Sequence, residues 1–425
     1  MRSTGKELII RKAMLGHSER DFPVPSELRE AIKNHLDIPV VFKNQIKSWS
    51  TPLLNSNLTG KYGNTVLDFR IVPKSYKGVS WEAQHTFEEA TISDFISWQN
   101  EENVALDSTN PFKKYKKNEY WAYSSYNYMN VIFPNDSDIQ TMKWDAFGFP
   151  EVTGKESTFW LGSEGANTPC HFDSYGCNLV AQITGRKQWI LFPATDTSFL
   201  YPTRIPYEES SVFSSVNILN VDFTCHPLFK NAHPHIITLE PGDVLFVPKK
   251  WWHFVSCLDN ITISINTWIE LDSDPHCRLE EGVARALMSA LITFYEPDKE
   301  NWLNPKEELV SPNEAIKYIT TSLQEIGGIT DKDQDKNPQF SKVCKTAGKF
   351  DVHNSICKDS SIHDICDYKY IEKVEPSSFQ EYLIKTNQQL SLESVLPQEI
   401  TLKKIINSFV HPEVVSLICH LLKDK

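Results

Sequence analysis

The chain has 425 residues, 43 Lys+Arg against 55 Asp+Glu, a formal net charge of -12 and 40% hydrophobic residues. That acidic balance excludes a general binder of nucleic acid or other polyanions, and the length suits two or three domains or one large β-barrel with helical additions. No apolar run approaches the roughly twenty residues of a spanning helix, so no membrane segment is expected.

Nine cysteines, odd in number and unevenly spaced, follow an N-terminus with no charged-then-apolar leader, which reads as a reduced, cytoplasmic chain. Residues 1–24 carry no strong pattern and run into Phe22-Pro23-Val24-Pro25, which breaks regular structure. Ser26 to Ile32 reads as a short capped helix, and Asp37 to Phe42 as a strand. Thr65 to Val72 alternates like a half-buried strand. Phe87 to Trp98 has apolar residues at helical spacing with acids early, which predicts a helix. The basic run Lys113 to Lys117 reads as a solvated loop, the alternative being a cationic rim for an acidic substrate.

From Tyr120 to Trp268 short β runs are separated by Gly, Pro, Asn and Asp, the pattern of a double-sheet jelly roll. Inside it, Phe159-Trp160-Leu161 leads through a Gly-containing turn to His171-Phe172-Asp173. In extended backbone His171 and Asp173 share a face, so imidazole and carboxylate form a two-point metal claw. A third ligand must come from another strand, and His253 stands just beyond the β-rich Val244 to Pro248. Two His and one carboxylate on one face of Fe(II) leave positions for a co-substrate and dioxygen.

An isolated HxD is more often a solvated pair or a satisfied core histidine. Its surroundings favour the metal reading. Gly242-Asp243 turns into a strand, and Trp251-Trp252 precede His253 as candidate walls of a dry pocket, with Trp268 a further one. Lys187 opens the second of two β runs divided by a Gly turn, read as a hairpin, and its cation suits the distal carboxylate of a dicarboxylic co-substrate. Thr203 to Asn231 is long, polar and Ser-rich, read as a loop over the entrance. His226, His233 and His235 lie in a loop-like setting and are the weaker alternative for the third ligand.

After Trp268, Leu279, Val283, Ala286, Leu287, Ala290, Leu291 and Phe294 mark an amphipathic helix. Ser311-Pro312-Asn313-Glu314 is a capping box, opening a helix through Ile316, Ile319, Leu323 and Ile326 to Gly327-Gly328. Asp331 to Pro338 is a charged linker. Cys344, His353, Cys357, His363 and Cys366 lack the tight CxxC step and read as reduced thiols rather than a zinc site. Leu396 to Leu422 holds two helical patterns divided at His411-Pro412.

Four segments, TPCHFD at 168–173, AQITGRKQWILFP at 181–193, PGDVLFVPKKWWH at 241–253 and TISINTW at 262–268, together resemble the Jumonji C (JmjC) oxygenases of the hydroxylase type, a family that includes the asparaginyl hydroxylase of hypoxia-inducible factor. The resemblance runs in order over roughly residues 35 to 270, with one extra residue between Asp173 and Asn178 relative to that hydroxylase. Residues 120–123, 168–178 and 200–213 are similar to family members that associate with a small heat-shock protein. The resemblance implies that His171, Asp173 and His253 are catalytic iron ligands, that Lys187 binds 2-oxoglutarate, and that Thr168, Asn178, Asn266 and Tyr120 line the co-substrate. It implies a mainly β fold, a double-stranded β-helix (jelly roll, cupin-like JmjC) with N-terminal α/β elements and a C-terminal helical region.

The expected organisation is an N-terminal segment at 1–34, the jelly roll with its preface at 35–270, a helical extension at 271–328, a polar linker at 329–395 and C-terminal helices at 396–425. Two functions follow from the resemblance. One is an Fe(II)- and 2-oxoglutarate-dependent hydroxylase of a protein substrate, tied to the stress response. The other is a non-catalytic binding protein that restrains a small heat-shock protein. Histone demethylation fits less well, since no chromatin-reader pattern of closely spaced Cys and His is visible. The helices after the barrel are candidates for a homo-oligomer interface, although an apolar stripe more often packs within its own chain.

Overall fold

The structure is a computed structural model that describes residues 24–46, 49, 58–100, 109–295, 302–305, 307–328, 368–371, 373–374, 379, 381–383 and 402–423. Residues 1–23, the charged linker at 331–338 and the Cys/His group at 344–366 lie outside the described residues.

The chain opens with helix α1 (Pro25–Asn34), whose first position is Pro25; Val24 is its N-cap and no side chain caps it, so Ser26 is inside the helix rather than its cap. Strands β1 (Val40–Phe42) and β2 (Val66–Pro73) follow within the two runs read as strands. The helix expected over Phe87 to Trp98 is instead strand β3 (Thr86–Thr91) followed by helix α2 (Ile92–Gln99). Its cause is a capping box: Thr91 Oγ1 accepts from the Asp94 amide while Asp94 accepts from the Thr91 amide, so the helix cannot begin earlier. The basic run after it is pinned, with Lys114 on Glu88 at 2.6 Å and Lys117 donating to the Gln99 carbonyl.

The strands that follow are β4 (Tyr120–Tyr128), β5 (Lys143–Trp144), β6 (Phe149–Thr153), β7 (Thr158–Gly162), β8 (Asn167–Asp173), β9 (Cys177–Thr184), β10 (Lys187–Phe192), β11 (Pro202–Glu208), β12 (Ser211–Ser214), β13 (His235–Leu239), β14 (Val244–Val247), β15 (Trp252–Cys257) and β16 (Thr262–Ile269), of which β5 and β6 pair with each other in a small separate sheet. With β17 (Tyr368–Tyr370), two large sheets form. The nine-stranded one runs β17-β1-β14-β9-β16-β7-β4-β2-β3 and the six-stranded one β11-β12-β8-β15-β10-β13. The predicted mainly β jelly roll is therefore the observed fold.

Two local expectations change. The turn at Gly185 does not close a hairpin: β9 belongs to the nine-stranded sheet and β10 to the six-stranded one, so the chain crosses between sheets there. Gly185 has φ +62, and a Cβ would meet the Ile261 carbonyl oxygen at 2.4 Å, which is why the crossing takes glycine. The polar segment from Thr203 is not a loop throughout either, because β11 and β12 form a hairpin whose second strand pairs with β8.

Strand parity then sorts the residues. On β9, Leu179, Ala181 and Ile183 join the core beneath α1 and α2, while Asn178 and Val180 face the space between the sheets. On β8 and β15, Cys170, Phe172, Trp252 and Phe254 form a second core outside the six-stranded sheet.

The helices beyond the barrel are α3 (Asp274–Tyr295), α4 (Pro312–Gly328), α5 (Leu402–Phe409) and α6 (Pro412–Lys423). The Ser311 capping box is present, with Ser311 Oγ donating to Glu314 at 2.8 Å and accepting from the Glu314 amide. Leu279, Val283 and Ala284 of α3 pack with Val415 and Cys419 of α6, and Met288 and Ile292 with Ile205 and Tyr207 of β11. The apolar stripe on α3 is thus used inside the chain. No helix among the described residues is long and apolar enough to cross a membrane.

Candidate metal centre

β8 and β15 pair so that His171 and His253 face each other across the ladder, their ring centroids 4.2 Å apart. Asp173, two residues on, shares that face by parity, and its Oδ1 lies 3.9 Å from His171 Nε2. Donor atoms of all three lie within 4.8 Å of one another, and all three residues are buried. No other such group of three occurs among the described residues, so His226, His233 and His235 do not supply the third ligand. His233 is taken by Asp196 at 2.9 Å, and His235 opens strand β13 rather than sitting in a loop.

Both imidazoles are fixed in the same way. His171 Nδ1 donates to the Pro169 carbonyl and His253 Nδ1 to the Trp251 carbonyl, each at 2.9 Å. A carbonyl can only accept, so each Nδ1 carries a proton, and in the neutral tautomer this selects, Nε2 is the atom left to bind a metal. Burial, reinforced by neighbouring His253, pushes the His171 pKa down to about 4, which keeps it neutral at pH 7. Asp173 Oδ2 accepts from Trp268 Nε1 at 3.1 Å, which orients the carboxylate. Two imidazoles whose Nδ1 is engaged and one oriented carboxylate suit a divalent first-row metal.

The same cavity holds Lys187, the first residue of β10 and 2% exposed. Its Nζ donates to Ser264 Oγ at 2.7 Å and Tyr123 OH at 3.2 Å, and lies over the rings of Tyr123 and Trp160. No carboxylate stands in ion-pair range of it among the described residues. Thr168, Asn178 and Asn266 also line the cavity, with Asn266 Nδ2 donating to Asn178 Oδ1 at 2.9 Å and Trp160 Nε1 to Asn266 Oδ1 at 2.6 Å. The extra residue after Asp173 therefore leaves Asn178 inside the site.

Tyr120 is not among the residues lining the cavity. It packs on Tyr115 at 5.2 Å against the core under α2. Tyr123, of opposite parity on β4, takes the place expected of it. Trp251 and Trp252 are likewise not cavity walls: Trp251 Nε1 donates to the Asp37 carbonyl, and Trp252 packs edge-on against Phe172 outside the sheet. The walls are Trp160, Trp189, Trp268 and Tyr126. Trp268 is the wall expected from the sequence, and parity would also have found Trp189, which follows Lys187 by two.

Tyr126 sits at the irregularity between Ser124 and Asn127 with φ 59, and its ring stacks on Trp268 at 5.5 Å. At 38% exposed, it marks the mouth of the site. A larger cavity, about 490 Å³, opens on the other face of β8 and touches Pro169, Cys170 and Phe254 but none of the three donors.

Comparison with known proteins gives a concordant result. The cupin-like domain profile matches residues 26–274. The chain is 45% identical over 291 residues to HSPB1-associated protein 1 of Homo sapiens, covering 67% of this chain and 58% of that protein. It is 34% identical over 441 residues to the HSPB1-associated protein 1 homolog of Danio rerio, covering 94% and 96% respectively. More distant is a lysine-specific demethylase of Arabidopsis thaliana, 28% identical over 236 residues, covering 54% of this chain and 49% of that one. The chain spans about three fifths of the length of the mammalian relatives it matches, 58% for the human and 59% for the mouse protein.

Proposed function

This chain belongs to the cupin-like JmjC family, alongside the HSPB1-associated protein 1 relatives, and on that footing we propose that it is an Fe(II)- and 2-oxoglutarate-dependent dioxygenase of the protein-hydroxylase type. The observation that carries the reading is Lys187, a buried ammonium given two hydroxyls and no carboxylate among the described residues, in the cavity that holds three metal-type donors. A desolvated cation without a counter-ion is costly, and a dicarboxylate entering the cavity would supply one. Trp189 Nε1, buried and without a hydrogen-bond partner among the described residues, is a further donor in that wall.

When bound, iron and 2-oxoglutarate together supply the oxidation of a substrate C–H by dioxygen, the 2-oxo acid leaving as succinate and carbon dioxide. The chain's part is placement. His171 and His253 offer Nε2 because their Nδ1 protons are engaged, and Trp268 turns Asp173 Oδ1 toward them. Lys187, with Tyr123 and Ser264 beside it, anchors the far carboxylate, and Thr168, Asn178 and Asn266 line the co-substrate. Trp160, Trp189, Trp268 and Tyr126 exclude water and present an aromatic mouth to the substrate.

The test is to supply Fe(II) and 2-oxoglutarate with candidate protein substrates and follow succinate. His171→Ala is expected to fall to background; wild-type release by that variant would remove the metal reading.

A second reading is favoured by the name that the relatives carry, which ties them to the small heat-shock protein HSPB1. Here the chain associates with a small heat-shock protein and restrains it without chemistry. Capture of HSPB1 by wild type and by His171→Ala separates the two: undiminished capture by the variant makes association independent of the cavity.

A further inference from the structure

The first two turns of α3 grip both backbone turns that deliver metal-type donors. After Asp173 the chain turns through Ser174-Tyr175-Gly176 into β9. Asp274, fully buried, accepts the Gly176 amide at 3.1 Å on Oδ1 and the Leu271 amide at 2.8 Å on Oδ2. Gly176 has φ +70, so this contact holds a left-handed turn in place. Two helical turns on, and so on the same face, Glu281 accepts from Ser174 Oγ at 3.4 Å.

Glu281 is itself rigid. It pairs with Arg204 and accepts from Tyr207 OH at 2.9 Å, and both Glu281 and Arg204 are at least nine-tenths buried. Arg204 Nη1 donates to the Ser211 carbonyl at 2.5 Å, and Ser211 is the cross-strand partner of Asp173. The pair therefore reaches Asp173 from the next residue and from the neighbouring strand. On the other turn, the Lys250 amide donates to the Asp173 carbonyl at 3.1 Å, and Lys250 Nζ is held by Glu280 of α3 at 2.7 Å. Lys249 Nζ reaches Ser273, just ahead of the helix. His253 is three residues beyond Lys250.

We propose that α3 is a positioning element of the metal centre, Asp274 and Glu281 setting the orientation of Asp173 through Gly176 and Ser174; this rests on the reading of His171, Asp173 and His253 as metal ligands. A helix that packs only to bury apolar surface has no need of three carboxylates aimed at those two turns. The outer partners of metal ligands characteristically change affinity about 10- to 100-fold when removed.

The experiment titrates Co(II) into the intact chain and reads both affinity and the visible absorption that reports the ligand geometry. Asp274→Asn and Glu281→Gln are each expected to weaken Co(II) binding by about tenfold or more with an altered spectrum. Ser174→Ala, which removes one hydroxyl and keeps the buried ion pair, is expected to shift both readouts in the same direction and stands in should Glu281→Gln fail to fold. Ser289→Ala is the control, since Ser289 is equally buried on α3 but donates to the Val310 carbonyl away from the site. It is expected to bind Co(II) as wild type does. Wild-type affinity and spectrum in Asp274→Asn and Ser174→Ala would overturn the inference, as would an equal loss in Ser289→Ala. Wild-type chain that takes up no Co(II) would instead overturn the oxygenase reading and this inference with it.

Discussion

His171 and Asp173 point between the two sheets, whereas Cys170 and Phe172, their neighbours on β8, point out of them, and each face borders a cavity. The outer cavity is roomy and bounded by loop residues such as Lys77 and Asn217, with an apolar floor of Pro169, Cys170 and Phe254. The inner one is narrow and carries two fixed imidazoles, an oriented carboxylate and a buried ammonium. Size singles out one face of the strand; donor chemistry singles out the other. Alternation along β8 and β15 keeps the two functions apart, so substitutions on the two faces fail in different ways.

The sharpest contrast is expected between His171→Ala and Phe172→Ala. The first removes metal-dependent succinate release altogether while leaving thermal unfolding of the metal-free chain near wild type. The second empties a site packed edge-on against Trp252 and is expected to cost about 3–5 kcal/mol of stability, with metal affinity of the folded protein unchanged. Denaturant unfolding and metal titration on both variants check this, and a metal defect in Phe172→Ala equal to that of His171→Ala would erase the distinction. Lys187→Met comes next. Truncating one partner of a buried charge pair costs about 2–5 kcal/mol, so half-saturation by 2-oxoglutarate should rise by at least ~30-fold while metal affinity holds.

The smallest effect concerns histidines outside the inner cavity. Burial holds both His85 and His235 down to about 4, below the ordinary 6.5. The unfolded chain therefore takes up protons first as pH falls below 6.5, and stability from these two groups declines toward pH 4 and then levels. Glu208 runs the other way: burial raises it to about 7 from 4.5, so its contribution, full below 4.5, is lost as pH rises through 7. His235→Asn should flatten the acid limb of a stability-against-pH curve; an unchanged limb would contradict the assignment.

The metal-type donors are legible in the sequence because two of them obey strand parity and the third stands just beyond another β run. The His171/Asp173 face follows from period-two alternation between Gly and Pro breaks; Lys187 is expected there from a hairpin that does not form, and Thr168, Asn178 and Asn266 from the family resemblance, Thr168 sharing a cavity with His171 three residues on only because β8 is irregular between them. Tyr120 is named by the family resemblance alone, and Tyr123, three residues on and so of opposite parity, lines the cavity instead; Tyr126 enters it at the irregularity between Ser124 and Asn127 with φ 59 that no alternation rule anticipates. Trp252, adjacent to His253, faces the other way in the extended chain, whereas Trp251, two residues before it, lies ahead of β15 and its indole donates to the Asp37 carbonyl. The stretch from Phe87 mimics a helix until the Thr91–Asp94 capping box is weighed. The Gly185 crossing was hidden because a tight turn between two β runs looks the same whether the second strand pairs with the first or joins the opposite sheet. The reach of α3 into the turns beside Asp173 was invisible, since contacts such as Ser174–Glu281 span more than a hundred positions.

The most direct measurement is binding of 2-oxoglutarate to the intact chain, with and without divalent metal, in wild type, His171→Ala and Lys187→Met. Binding is predicted to need both the metal and the ammonium, so that the wild type binds tightly only when metal-loaded and each variant binds weakly under all conditions. Equal binding by all three proteins, whether or not metal is present, would contradict the account.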